Sequence, residues 1–239
     1  RQETKTFHLE NKVSSFHTVM ARNDENESLR LRTKPEQNVL RVRTLGRFTV
    51  TRNGEPIAFL RKSSHQLFLF LLAHRNRKIT KEYVYDQLYP DDTIASAQNK
   101  FYISLSFLRK SLEPELVSGR QSRYVKQQGE TIFLCMENIQ VDADEFLRLC
   151  SSPDPADYAA AEKLYEGDFL MEFPYETYLE QEREKLRAHY LSILEKMASD
   201  CWENGETEKA QMYFDKILLT DPYREPAYAE YIDKLLQER

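Results

Sequence analysis

The sequence predicts a mixed architecture, an α+β unit followed by an all-α one, and three observations carry that prediction. Short β-rich segments and a tight-turn dipeptide open the stretch after residue 39. Helical periodicity with almost no strand signal fills the chain after residue 136. The charge divides at the same place: residues 39–135 carry 16 lysines and arginines against 8 acids, whereas residues 136–239 carry 11 against 25. A basic unit fused to an acidic one suits a chain with one half facing a polyanion and the other kept off it. The plainer reading of the same split is two solvated surfaces of different isoelectric point.

Taken in order, residues 1–38 read as an N-terminal segment and linker: a faint helical stripe (Leu9, Val13, Phe16, Met20), then a polar stretch, ARNDENESLRLRTKPEQN, with few large apolar side chains. The chain opens on Arg1 rather than a methionine, which raises the expectation of a piece of a longer protein. Residues 39–136 form the predicted α+β unit. LRVRTLGRFTV and EPIAF are strands joined through Asn53-Gly54, a pair suited to the positive φ angles of a two-residue hairpin. SSHQLFLFLLAHRN follows, with a serine expected to cap it and an apolar run too dense for a helix with one exposed face, so it is the central buried helix. Thr80 caps a short amphipathic helix, KEYVYDQLY, which ends before Pro90.

Residues 94–112, IASAQNKFYISLSFLRKSL, are the most informative segment. On a helix, Ala97, Phe101, Leu105, Leu108 and Leu112 fall on one stripe, the core face. The opposite face carries Ser96, Asn99, Ile103, Ser106, Phe107 and Lys110, flanked by Tyr102 and Arg109 on one side and Lys100 on the other, without a carboxylate. That chemistry suits a reader of the DNA major groove, because acids are repelled by the phosphate walls. An ordinary amphipathic helix with a wet outer face is the plainer alternative; the apolar Ile103 and Phe107 on that face call for thymine methyls, a protein partner or a rotated face. RYVKQQGETIFLC then reads as two strands about a turn at Gly129, with Arg120, Arg123 and Lys126 near or on it, a basic wing. Strands, helix, short helix, long helix and hairpin is the order of a winged helix-turn-helix.

Residues 137–239 are the all-helical, TPR-like unit. In ENGETEKAQMYFDKILLTDPYREPAYAEYIDKLL, Gly205 marks a turn, Ala210 a close helix approach, Phe214 and Leu218 a packing face, and Pro222 a helix end, as in the tail of a TPR repeat. Such pairs bury their apolar faces only against neighbours, so the preceding helices are expected to stack on them. The unit reads as an oligomerisation or partner surface, or more simply as a scaffold.

Several function classes are excluded or disfavoured. The longest apolar run, Leu67 to Ala73, is far short of the ~20 residues of a membrane span. Three widely spaced cysteines, Cys135, Cys150 and Cys201, fit neither a disulfide framework nor a zinc site and suit a reducing cytoplasm. With 6 glycines, 5 dispersed histidines, no phosphate-binding loop and no H-E-x-x-H, neither an enzyme nor any bound cofactor or metal is expected.

The segments LRVRTLGRFTVTRNGEPI, ASAQNKFYISLSFLRKSL, VDADEF, YEGDFL and PYETYLEQEREKLR together resemble the antibiotic-regulatory-protein (SARP) class of bacterial activators, over roughly residues 39–239. The resemblance implies an OmpR/PhoB-type winged helix joined to a bacterial transcriptional activator domain of TPR-like helices. It implies binding of direct-repeat promoter DNA by head-to-tail protomers, a homo-oligomer on DNA, and recruitment of RNA polymerase. It places Tyr102, Ile103, Ser106 and Phe107 at base-contacting positions, Asn99, Ser104 and Arg109 at phosphate-contacting ones, and the loop Tyr89 to Ile94 where polymerase is touched. The sequence departs from the pattern in having no arginine at the base-reading positions and in carrying Glu130 and Thr131 where the wing commonly has Gly-Tyr-Arg. A protein-interaction module, or the output half of a larger sensor, is the competing expectation.

Overall fold

The computed structural model describes residues 38–117 and 121–237, so the predicted stripe of Leu9, Val13, Phe16 and Met20, nearly all of the linker, and Arg120 lie outside the described residues. Residues Val39–Arg239 make one compact unit, in which a strand-rich N-terminal region leads into a helical C-terminal one.

Strand β1 (Leu40–Arg43) pairs antiparallel with β2 (Thr49–Arg52), which pairs with the two-residue β3 (Glu55–Pro56). Asn53 and Gly54 close the turn at φ of 54° and 86°, the left-handed geometry that asparagine tolerates and that glycine, without a Cβ, adopts freely. Helix α1 (Lys62–Ala73) is buried along most of its length from Ser64 to Leu72, as a helix apolar on all sides must be. Its start corrects the expected serine cap: Arg61 holds the cap position, and the Ser64 hydroxyl, already inside the first turn, donates back to the Arg61 carbonyl at 2.7 Å. Strand β4 (Ile79–Thr80) leads into α2 (Lys81–Leu88), capped by Thr80, whose Oγ1 accepts the Tyr83 amide at 3.2 Å. Helix α3 (Ile94–Leu112) begins at Thr93, with a longer bond from the Ser96 amide at 3.4 Å. Strands β5 (Val125–Gln128) and β6 (Thr131–Leu134) form a hairpin, and β6 also pairs with β4.

A strand follows residue 136 after all. Strand β7 (Ile139–Val141) returns to the first sheet and pairs parallel with β1, Leu40 opposite Ile139 and Val42 opposite Val141. At its end Asp142 opens α4 (Asp142–Cys150) and its carboxylate ties back to the first sheet: it accepts the Thr44 amide at 2.7 Å and the Leu45 amide at 3.0 Å. The Thr44 hydroxyl also donates to it, at 2.5 Å.

Helix α5 (Pro155–Leu164) starts with Asp154 as cap and proline at the first helical position, where its missing N–H costs nothing. The YEGDFL loop then folds against the β1–β2 turn: Leu45 bridges Phe169, and the Leu170 amide donates to the Thr44 carbonyl at 2.8 Å. Gly46 permits this approach, since its φ is +101° and a Cβ there would lie 2.9 Å from the Cβ of Glu166. Buried Arg183 of α6 (Glu180–Glu203) donates to the carbonyls of Phe169, Leu170 and Phe173, at 3.0, 3.1 and 2.7 Å, and so clamps the irregular backbone of this loop, where the Leu170 and Phe173 carbonyls also accept the amides of Phe173 and Glu176. The motif YEGDFL and the arginine of EREKLR are thus two halves of one fastening.

Helix α7 (Thr207–Thr220) packs against α6 after a turn at Gly205 (φ 75°), and α8 (Glu225–Gln237) follows it. The buried stripe of α7 is Ala210, Phe214 and Ile217; Leu218, expected on the packing face, is only half-buried because the stripe advances by three residues rather than four at that turn. One continuous apolar core runs from Leu40 to Ile217. All three cysteines are free thiols, and among the described residues no helix is long and apolar enough to cross a membrane.

Candidate nucleic-acid interface

Helix α3 is held by its apolar stripe: Ala97, Phe101, Leu105, Leu108 and Leu112 are all buried, packed against α1 and α2. This fixes which face looks outward. Asn99, Lys100, Tyr102, Ile103, Ser106 and Lys110 are exposed, and Phe107 is half-buried at their edge. Tyr102 and Ile103 keep 41% and 40% of their surface in solvent, enough for aromatic and aliphatic groups to meet a partner.

Two expected contact residues are placed differently. Ser104 is 1% exposed and its hydroxyl is hydrogen-bonded to that of Tyr89 at 3.1 Å, so it is corrected from a phosphate-contacting position to an internal one. The reason is width: α3 is covered by both α1 and the end of α2, and a residue one step off the apolar stripe falls under that cover. Arg109 is half-buried, and its guanidinium donates to the Val125 carbonyl at 3.1 Å from Nη2 and 3.3 Å from Nε. Nη2 also approaches Gln127 Oε1 at 3.4 Å. Burial lowers the Arg109 pKa, with nearby Glu113 opposing. Its geometry is that of a brace between α3 and the β5–β6 hairpin.

The carboxylates near the face already have partners. Asp92 accepts Lys100 Nζ at 2.6 Å and the Ser96 hydroxyl at 3.0 Å, and the hydrogen bond from Lys100 is the leading cause that holds its carboxyl below the usual range. Glu113 is buried, accepting the Ser122 hydroxyl and the Arg123 amide, the latter at 2.9 Å. The exposed face between residues 96 and 110 therefore presents no acid of its own.

On the hairpin, Gly129 turns at φ +56° beside Glu130. Arg123 is exposed with its Nη1 4.0 Å from Glu115, and Lys126 is half-buried on β5. Glu130 faces Lys81 Nζ at 3.5 Å and accepts the Lys81 amide at its carbonyl, so the turn is tied to the start of α2 rather than left loose. Lys81 also reaches the Tyr102 hydroxyl at 3.3 Å, which couples hairpin turn, α2 and the exposed face through one ammonium. In the loop before α3, Tyr89 points inward to Ser104, whereas Ile94 is 79% exposed.

One residue on this surface escaped the sequence reading. Arg61, at the cap of α1, lays its guanidinium 3.9 Å from the centroid of the Phe107 ring. The only sequence signal was the cationic pair Arg61-Lys62 at the start of a helix whose first turn has no acid. Among the described residues no group of three or more His, Cys, Asp or Glu is placed to hold a metal ion.

Residues 143–238 match the family model of the bacterial transcriptional activator domain. The fold is similar to that of Mycobacterium tuberculosis EmbR, solved in complex with a low-affinity phosphopeptide: TM-score 0.65, 17% sequence identity, covering 82% of this chain and 54% of EmbR. The chain thus spans about half the length of that structure (54%). No curated protein matches this sequence.

Proposed function

We propose that the protein is a sequence-specific, non-catalytic DNA-binding transcriptional regulator of the SARP type, an activator that docks α3 in the major groove. The observation that carries this is the exposed face of α3: small polar, amide, aromatic and cationic side chains on a rigid helix, with the neighbouring carboxylates turned to lysines or buried. In this reading β4, α2, α3 and the β5–β6 hairpin act as a winged helix-turn-helix, and residues 39–136 are its domain. Tyr102, Ile103, Ser106 and Phe107 choose sequence; Asn99, Lys100, Lys110, Arg123 and Lys126 supply phosphate contacts and salt dependence. Arg109 acts one step back, by holding the hairpin. The match of residues 143–238 to the activator-domain model supports a transcriptional role for the TPR-like half, as a surface for oligomerisation or polymerase contact on repeated promoter sites.

The test is selection from random duplexes with the intact chain, followed by titration of a selected and a scrambled duplex at several salt concentrations. The expected result is a repeated motif spaced by about one helical turn, with affinity falling steeply as salt rises. Absence of any enriched motif, with no binding at low salt, would refute the DNA reading and make Tyr102 and Ile103 the centre of a protein interface.

A further inference from the structure

The base-reading positions of α3 carry no arginine, yet the folded surface has one beside them. Arg61 comes from 46 positions upstream of Phe107 and reaches the outer edge of α3 by way of the β3–α1 loop. The backbone at Leu60 and Arg61 is fixed by three bonds: the Leu60 amide donates to Ser111 Oγ at 3.1 Å, and the Arg61 carbonyl accepts the His65 amide at 3.1 Å and the Ser64 hydroxyl at 2.7 Å. Ser111 in turn donates to the Phe107 carbonyl at 2.9 Å, which latches the loop to the turn of α3 that carries the ring. The Arg61 side chain is exposed, and no hydrogen bond or ion pair joins its guanidinium to another described residue.

Resting on the reading of this face as the one that meets DNA, we propose that Arg61 is a base-contacting residue, its guanidinium laid on the Phe107 ring and its edge donors offered to the O6 and N7 acceptors of a guanine in the major groove. A guanidinium is a planar fork of donors whose flexible stem normally costs entropy to hold. Stacking on an aromatic face restrains that plane while leaving the in-plane N–H groups outward. The pair therefore supplies what the helix lacks: Phe107 is the platform and Arg61 the donor, with bidentate geometry of the kind that discriminates guanine. The other cations at this face are poorer candidates: Lys100 is engaged by Asp92, Arg109 by the Val125 carbonyl, and exposed Lys110 carries a single ammonium with no planar fork of donors.

The experiment compares the intact protein with Arg61→Ala, Arg61→Lys and Phe107→Leu, each checked for an unchanged melting profile, by selection and by titration on single-base-pair variants of the selected site. The expected result is loss of preference at one G·C pair, about 5- to 150-fold, in Arg61→Ala. The same pair should lose discrimination in Arg61→Lys, which has no fork, and in Phe107→Leu, which has no platform. Uniform weakening on every sequence with a shallower salt dependence would make Arg61 a phosphate contact and overturn the assignment, as would an unchanged motif and affinity. If the unaltered protein selects no motif, the DNA reading itself fails and Arg61 falls with it, an outcome distinct from selection by the unaltered protein with no effect of Arg61.

Discussion

Replacing Asp142 by alanine should cost about 3 kcal/mol of stability, a large share of the roughly 5 to 15 kcal/mol typical of a folded domain. Its carboxylate takes the Thr44 amide at 2.7 Å, the Thr44 hydroxyl at 2.5 Å, and the Leu45 amide at 3.0 Å, and both donor residues are fully buried. A hydrogen bond to a charged group contributes about 1.5 to 3 kcal/mol, and a stranded buried donor costs about 1 to 3 kcal/mol. Simple addition over three donors overshoots, because Asp142 is itself only half-buried and water can enter from its open side. Asp142→Asn, which keeps one acceptor oxygen but turns an amide toward N–H groups, should fall at about half that loss. The assay is urea unfolding followed by far-ultraviolet circular dichroism, with the midpoint shift read at constant slope. A Thr44→Val and Asp142→Ala double-mutant cycle isolates the hydroxyl contact and should show coupling of about 1 kcal/mol. A loss under about 1 kcal/mol for Asp142→Ala would mean that water serves the three donors as well as the carboxylate does, and the account of this junction would be wrong.

Four further outcomes follow from the geometry. Ser104→Ala should leave affinity for the selected duplex within about two-fold while lowering stability by about 1 kcal/mol, since its hydroxyl serves Tyr89 and not a ligand; a ten-fold loss of affinity with stability intact would reinstate a phosphate contact. Arg109→Ala should weaken binding to selected and scrambled duplexes alike and speed hydrogen exchange at Val125 to Gln128, because the brace to the hairpin is gone; unchanged exchange there would argue that the brace is idle. Tyr102→Ala and Ile103→Ala should each shift preference at one or two base pairs, by about 1 to 3 kcal/mol in single-variant titrations, and an identical motif in both would remove them from the reading face. His65, lodged among the rings of Phe48, Phe59 and Phe173, has its pKa lowered chiefly by burial, with Glu172 and Glu176 opposing. A lowered folded pKa means that the unfolded chain binds the proton first. The contribution is therefore complete above the ordinary value of 6.5 and is lost as pH falls from there toward the folded value. His74, also lowered by burial, adds in the same direction. His65→Phe should flatten the fall in urea midpoint across this window, and an equal fall in both proteins would assign it elsewhere.

The features legible from the sequence were those carried by short-range rules. The apolar stripe of α3 needed only helical spacing, the β2–β3 turn only Asn53-Gly54, and the start of α2 only a threonine before an amphipathic run. What escaped was set by distant partners. Ile139 to Val141 is too short to announce a strand, and pairs because β1, almost a hundred residues earlier, offers an open edge. Ser104 reads as a small polar residue on a helix flank, and only the cover provided by Tyr89 makes it internal. Arg109 reads as a cation on a DNA-facing helix until the Val125 carbonyl claims it. Arg61 was invisible for the same reason in reverse: nothing local reveals that a loop residue will lie on Phe107.

The return of β7 to β1 also bears on how the molecule is made. Leu40 and Ile139 meet across 99 positions, so the first sheet stays one strand short until synthesis has passed Val141, and the tie through Asp142 closes only then. Until that moment β1 offers an unpaired edge, the surface on which nascent chains associate wrongly. The N-terminal region is thus not a bead that folds and waits for the helices; pairing at so long a separation makes its completion slow and joint with theirs. A protein shortened at residue 136 would keep every residue of α3 and yet lose the strand that shields its own sheet, and its failing would show as aggregation before it showed as lost affinity.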